Sequence, residues 1–286
     1  MDESDAIARY YDANTSKFLR LGGAGGTGAI HRAIWAPGVR NKRDALMYLN
    51  HLVASHINPL PSAAGTELRH LIDLGCGTGG TALFLAQTLG LRVTGVTLSP
   101  VQVNMANASA TAGGIRDQAQ FLTADFASLP PLPPADALCA IESFAHAHDA
   151  GAFFAMAAAL LKPGGRLVLC DDFLADERPA RAEPCLQRVR RGWHLNSLIS
   201  LTECKTLAEQ QGLTLLQDDN LSAWVRPFPA PLLWLLSNIT RLPLNTPYWQ
   251  NLSGGSALQV CGKMGWTEYH ALVWERPGNA PKERGP

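Results

Sequence analysis

The stretch Leu71-Ile72-Asp73-Leu74-Gly75-Cys76-Gly77-Thr78-Gly79-Gly80 decides the fold. A short apolar run carrying one aspartate meets a glycine-rich turn, and residues 81–89 behind it have the composition of a helix. In that order the glycines let the backbone approach a ligand, while the helix N-terminus offers unpaired N–H groups. The same Gly-x-Gly-x-x-Gly string occurs at Gly23-Ala24-Gly25-Gly26-Thr27-Gly28. There it follows a helical-looking stretch from Tyr10 to Leu21 and precedes Ala29-Ile30-His31, so a lid or hinge is expected rather than a second cradle.

Outward from the turn, residues 70–217 alternate short apolar runs with helical stretches, the pattern of a parallel sheet with crossover helices. Strands are expected at His70–Leu74, 91–97, 119–124, Ala135–Ile141, 166–171 and 213–218, and residues 267–275 alternate like a last strand. Ser99-Pro100 supplies a cap and a first-turn proline, Lys162-Pro163-Gly164-Gly165 stops a helix beginning near Ala150, and Ser200-x-x-Glu203 opens another. The expected class is α/β: a Rossmann-like, seven-stranded, mostly parallel sheet with helices on both faces, an N-terminal helical cap and an inserted lid before the last strand. Its divisions are a cap over 1–66, a ligand-binding core over 67–218, a substrate lid over 219–266, the last core strand over 267–275 and a flexible tail over 276–286. Trp224, Trp234, Trp249 and Trp266, with interspersed prolines, mark the lid.

The 286 residues set 24 Lys+Arg against 24 Asp+Glu, with 17% charged and 47% hydrophobic residues. Such a chain has apolar material for a packed core, which excludes disorder as the dominant state. Without net charge or a basic run it lacks the electrostatic footprint of a nucleic-acid partner. The longest apolar stretch, 152–161, is shorter than the roughly 20 residues of a spanning helix. The acidic start, Met1-Asp2-Glu3-Ser4-Asp5, has no apolar run behind it, so no secretory signal is expected. The six cysteines show no CxxC or zinc spacing and read as reduced thiols of a cytoplasmic protein with no metal site. The expected partner is a small-molecule substrate, without nucleic acid or membrane span, and a homo-oligomer stays open.

The glycine loop suits either a dinucleotide or S-adenosylmethionine. A dinucleotide site wants an acidic residue about 20 positions on to hold the ribose. No Asp or Glu lies between Asp73 and Asp117, and the tip of the next strand reads Thr97-Leu98-Ser99-Pro100. Arg92 sits at the wrong end of that strand to meet a ribose phosphate, so NAD(P) is disfavoured.

Residues 71–79 resemble the first motif of class I S-adenosylmethionine-dependent methyltransferases. Gly95-Val96-Thr97-Leu98-Ser99-Pro100-Val101-Gln102 is similar to the branch containing tocopherol and sterol C-methyltransferases, cyclopropane-fatty-acid synthases and isoprenyl-diphosphate C-methyltransferases. Thr123-Ala124-Asp125-Phe126, Ile141-Glu142-Ser143 with His146, Leu160-Leu161-Lys162-Pro163-Gly164-Gly165, and Tyr10-Tyr11-Asp12 with Ile30-His31 and Trp35 extend the resemblance over about residues 8–218. It implies S-adenosylmethionine as cofactor and S-adenosylhomocysteine as product, held by Asp73, Gly75, Gly77, Gly79, Thr97, Leu98, Gln102, Ala124, Asp125, Phe126 and Ile141. Asp73 accepts from the amino group of the methionine moiety, Gln102 serves the ribose or caps its helix, and Asp125 serves the adenine or is a loop aspartate.

Glu142 closes the fourth strand, where open α/β sheets place ligands, and is the first choice for chemistry. A carboxylate there stabilises and then deprotonates the carbocation left by methylating an alkene, or orients a phenol or amine. Tyr11, His31 and His146 are the other catalytic candidates, His146 as base, while His148 is expected in solvent. Trp35, Phe144, Trp193 and Arg188 are expected to bind substrate, since ring faces attract cations, although such rings more often pack in cores. Arg188, Arg190 and Arg191, with Arg20 and Arg32, form either a diphosphate site or a solvated face. Asp171-Asp172-x-x-x-Asp176 is read as a loop turn, with Mg required only if the substrate is a diphosphate. The expected activity is methyl transfer to a small, largely apolar metabolite of secondary metabolism: C-methylation of an isoprenoid alkene first, O- or N-methylation of an aromatic natural product second. A non-catalytic S-adenosylmethionine-binding module is the alternative of another class.

Overall fold

The computed structural model describes residues 7, 9, 11, 12, 15, 28, 30–57, 69–240, 242, 244 and 246–278. The expectations placed on Tyr10, Arg20, residues 21–27, the linker at 59–66 and the final tail beyond residue 278 lie outside these. In chain order the elements are α1 (Lys42–Ile57), β1 (His70–Leu74), α2 (Gly80–Leu89), β2 (Arg92–Thr97), α3 (Pro100–Ala112), β3 (Ala119–Thr123), β4 (Ala135–Ile141), α4 (Ala150–Leu160), β5 (Leu161–Leu174), α5 (Glu183–Trp193), α6 (Leu201–Gln210), β6 (Thr214–Asn220), α7 (Ala230–Ile239), α8 (Pro247–Lys263) and β7 (Thr267–Glu275).

The strands form one sheet in the order β3-β2-β1-β4-β5-β7-β6. β1 to β5 are parallel, and β7 runs antiparallel between β5 and β6. All five residues of β1 are buried, as in a central parallel strand covered on both faces. Leu71 faces a core shared with α1, α2 and α3, whereas Ile72 and Leu74 face α4 and α6. The second core holds Phe144, Phe153, Phe154, Phe173 and Trp274 in mutual edge or tilted contacts. Burial of each such ring stabilises the fold by roughly 1.5–3 kcal/mol.

Local signals set the helix starts. Ser99 accepts from the Gln102 N–H (3.1 Å), Asp149 from Ala152 (2.7 Å) and Ser200 from Glu203 (3.2 Å). β5 begins five residues before its expected start. Lys162-Pro163-Gly164-Gly165 belongs to the strand because Gly164 N donates to Arg276 O (2.7 Å) and Arg276 N to Gly165 O (2.9 Å), extending the pairing past β7. β5 also runs on to Leu174, so Asp171 and Asp172 are strand residues rather than a turn.

The segment after β6 meets the N-terminal part of the chain. Ile34 forms an antiparallel bridge to Val225, Trp35 N donates to Trp224 O (2.8 Å), and the Arg226 guanidinium lies 3.9 Å from the Trp35 ring centroid. α8 packs along α5 where two glycines meet: a Cβ on Gly192 would stand 2.5 Å from the Gly254 Cα. No described helix is long and apolar enough to cross a membrane.

Candidate functional site

The strand order reverses between β1 and β4, and a crevice opens at their carboxyl ends, as open α/β sheets dictate. Its floor is the glycine turn. Gly75 has φ +83°, and a Cβ there would lie 2.2 Å from the Ser143 Cβ, so only glycine lets the loops after β1 and β4 meet. Ser143 fastens that contact by donating to Leu74 O at 2.6 Å. Across the turn, Thr78 Oγ1 donates to Gly28 O (2.9 Å), which draws the end of the second glycine string onto the first. Residues 23–27 of that string lie outside the described residues.

Asp73, Gly75, Gly77, Thr97, Leu98, Gln102, Asp125, Phe126 and Ile141 all line the cavity. Gly79 and Ala124 do not. Gly79 turns the chain at φ +84°, with no room for a Cβ against Ala106 and Phe121 (2.9 Å), and Ala124 packs on the second core. Asp73 is 3% exposed; Cys139 Sγ donates to its Oδ1 (3.4 Å), while Oδ2 has no partner among the described residues. Burial pushes its carboxyl up to about 7, and hydrogen bonding such as that from Cys139 offsets only part of this.

At the β2 tip Gln102 lines the cavity, and its side-chain amide does not close a reciprocal cap on Ser99. Its N–H completes the Ser99 cap, and its side chain accepts from Thr97 Oγ1 (2.6 Å) and donates to Thr15 Oγ1 (3.1 Å). Ser99 Oγ in turn donates to Asp12, so the cap segment is tied to the same strand end. One Asp125 oxygen accepts from Ala127 N (2.9 Å), capping a short turn at the cavity's edge.

The far end gathers the catalytic candidates. Glu142 takes the left-handed φ of 51°, a strained position for a side-chain-bearing residue. Its Oε1 accepts from Arg32 N (3.0 Å), Arg32 Nε (3.0 Å) and the Tyr269 hydroxyl (3.1 Å). Both terminal nitrogens of Arg32 donate to Asp172, and the guanidinium lies 4.4 Å from the Tyr269 ring centroid. Burial works against the Arg32 charge, but Asp172 and Glu142 outweigh it and hold it firmly protonated. The Tyr11 hydroxyl lies 2.8 Å from His146 Nε2, and burial pushes the His146 pKa down to about 4. His31 lies 3.2 Å from the side-chain oxygen of Asn50, which also accepts from Thr81 (2.9 Å). His148, expected in solvent, is exposed but stands in the cavity wall.

The four expected substrate residues are not brought to this cavity. Phe144 is wholly buried in the aromatic core, because the turn after Glu142 sends Ser143 to the crevice and Phe144 behind it. Trp193 lies against Gly254 and Gly255 and donates to Asn251 O (3.1 Å), while Arg188 donates to Thr240 (2.7 Å). Trp35 is held under Arg226. None of the described residues of 219–266 forms the wall, so the lid packs beside α5 rather than over the crevice. Arg190 pairs with Glu183 (3.1 Å) and Arg191 faces solvent. Asp172 pairs with Arg32, Asp176 accepts from Thr202 (2.7 Å), and no group of metal-ligating side chains occurs among the described residues. Sequence reasoning missed Tyr269, Asn50 and Asn196. Tyr269 was findable as an inward position of an alternating strand, but no local pattern marks the others.

A methyltransferase-domain family model matches residues 71–165. The chain is 32% identical over 223 residues to 27-O-demethylrifamycin SV methyltransferase of Amycolatopsis mediterranei, covering 77% of this chain and 78% of that one. Its fold is similar to a cyclopropane synthase from Mycobacterium tuberculosis (TM-score 0.75, 18% identity, 95% and 98% of the two chains). It is also similar to the geranyl diphosphate C-methyltransferase of Streptomyces coelicolor solved with Mg2+, geranyl diphosphate and S-adenosylhomocysteine (TM-score 0.70, 21% identity, 96% and 98%).

Proposed function

The chain belongs to the S-adenosylmethionine-dependent methyltransferases, and from that footing we propose that it methylates a hydroxyl oxygen of a small, uncharged, largely apolar metabolite. The observation that carries this reading is the Tyr11–His146 pair: an imidazole kept neutral by burial, within hydrogen-bond reach of a phenol in the cavity wall.

The residues fit the cofactor. A buried carboxylate oxygen without a partner on Asp73 suits the ammonium of the methionine moiety, and the uncharged Thr97–Gln102 pair suits the ribose hydroxyls. Gly75 and Gly77, at φ +83° and +53°, leave backbone rather than side chains facing it. When bound, S-adenosylmethionine supplies a methyl group already activated as a sulfonium, so the chain's task is placement and proton removal.

A hydroxyl that gains a methyl becomes a strong acid, so a base of pKa near 4 takes its proton readily, and His146 is unprotonated at neutral pH. The Tyr11 hydroxyl fixes the ring and gives the acceptor oxygen a neighbour. Glu142 fits the role of base less well, since its carboxylate is paired with the Arg32 guanidinium and three donors hold its Oε1, leaving Oε2 alone to face the cavity. No lysine or arginine stands in the wall among the described residues, which disfavours a diphosphate and with it Mg2+. That the rifamycin relative is an O-methyltransferase supports the same choice. That no disulfide joins the six cysteines supports a cytoplasmic setting.

The test is incubation with 13C-methyl-labelled S-adenosylmethionine and a panel of phenols, macrocyclic alcohols and isoprenyl diphosphates, read by mass gain and by the carbon shift of the new methyl. An oxygen-bound methyl is expected. A carbon-bound methyl formed only on isoprenyl diphosphates would restore alkene chemistry with Glu142 at its centre.

A further inference from the structure

Arg32 is the one strongly cationic side chain that reaches the acceptor end among the described residues, and it does so from behind Glu142 rather than from the wall. Its neighbour His31 lines the cavity, and Ile34 two residues on bridges to Val225. The strap from 30 to 35 is therefore anchored at one point by charge and at another by β-pairing.

We propose that Arg32 decides what the Glu142 carboxylate can do: by occupying Oε1 and shielding its charge, it converts a base into a fixed hydrogen-bond acceptor, so the site selects hydroxyl acceptors over alkenes. The donors converge on one oxygen. Arg32 contributes two, its backbone N–H and Nε, and Tyr269 the third, which leaves Oε2 as the oxygen available to the cavity. The left-handed backbone at Glu142 turns the carboxylate toward the strap. Asp172 completes the arrangement by gripping the far side of the guanidinium, so Arg32 cannot swing toward the cavity. Arg32 and Tyr269 are thus positioning residues for Glu142. The consequence for acceptor selection rests on the O-methylation reading, whereas the shielding itself does not.

The shielding has a readout that needs no acceptor, because S-adenosylmethionine carries a sulfonium charge that S-adenosylhomocysteine lacks. Calorimetric affinities for the two should be within a few-fold of each other in the native protein. In Arg32→Met the exposed Glu142 charge should shift the ratio about tenfold toward S-adenosylmethionine. Glu142→Gln added to Arg32→Met should return the ratio to within about threefold of native, while Asp172→Asn added instead should leave it shifted. Tyr269→Phe, a milder change, should move the ratio about twofold in the same direction, which keeps the question open to test if Arg32→Met does not fold. An unmoved ratio in a folded Arg32→Met or in Tyr269→Phe overturns the proposal, as does restoration by Asp172→Asn equal to that by Glu142→Gln. The position of the methyl group on product separately decides the O-methylation reading, so the two can fail independently.

Discussion

The hydroxyl of Tyr11 stands 2.8 Å from Nε2 of His146, and the two rings meet edge to face with 5.5 Å between centroids. The pair joins the chain near residue 11 to the loop after β4 within the cavity wall, and in the proposed reaction its imidazole is the base. His146→Ala is expected to lower kcat by about 10²–10⁴ with a hydroxyl acceptor, the usual worth of a general base. Tyr11→Phe should cost less, and neither change should weaken S-adenosylhomocysteine binding more than a few-fold. Turnover of an identified acceptor and calorimetry read the two effects. A full-rate His146→Ala enzyme removes the imidazole from the mechanism.

The rate should also hold to unusually low pH. The His146 pKa is lowered to about 4, so its neutral form persists below the ordinary histidine range. Activity governed by this base is expected to be flat down to about pH 5 and to fall near 4. The same shift makes the native fold prefer the neutral ring, so the stability it contributes is present above the unfolded value of about 6.5 and is lost as pH drops toward 4. A kcat profile with its acid limb near 6.5 would assign the titration to a different group.

Asp73 behaves in the opposite sense. Its folded pKa, raised to about 7, means the native state holds a proton that the unfolded chain releases near 3.8. Its contribution to stability is fully present below that value and declines as pH rises toward 7. A cofactor ammonium beside the carboxyl should expel the proton. Calorimetry of S-adenosylhomocysteine in buffers of different ionisation heat should therefore show release of nearly one proton at pH 6 and almost none at pH 8. Asp73→Asn should abolish the release and weaken binding by about 10–100-fold.

Gly75→Ala combines a left-handed backbone with a Cβ 2.2 Å from the Ser143 Cβ. A loss of roughly 2–4 kcal/mol in unfolding free energy is expected, with cofactor affinity falling as well. Gly164→Ala has a similar φ of +78° but open space around it, so it should show the backbone cost alone. Equal losses for the two would mean that the close approach to Ser143 is unimportant.

What was legible in the sequence is what depends on neighbours along the chain. The turn from Asp73 to Gly80 and the Ser99 cap each rest on contacts within a few residues, and both appear in the structure. The clamp on Glu142 was not legible, because Arg32 and Tyr269 lie 110 and 127 residues from it and no local pattern joins them. Phe144 misled by proximity: it adjoins a site residue, yet the short helical turn Phe144–His146 points it into the core. Trp193 and Arg188 misled by composition, since aromatic and cationic residues on an amphipathic helix suggest a ligand, whereas α8 covers that face. β5 was longer than expected because pairing beyond β7 outweighs the turn preference of Lys162-Pro163-Gly164-Gly165.

The bridge between Ile34 and Val225 makes two distant stretches of the chain one structural piece. An engineer seeking a new acceptor by transplanting residues 219–266 from a relative would replace Val225 and Arg226 while leaving behind the Ile34 and Trp35 that they were matched to. The seam would then run through the bridge and the Arg226–Trp35 stack, next to the residue that grips Glu142. Grafts of this family member should therefore be cut as a pair, with residues 30–35 travelling alongside the later segment.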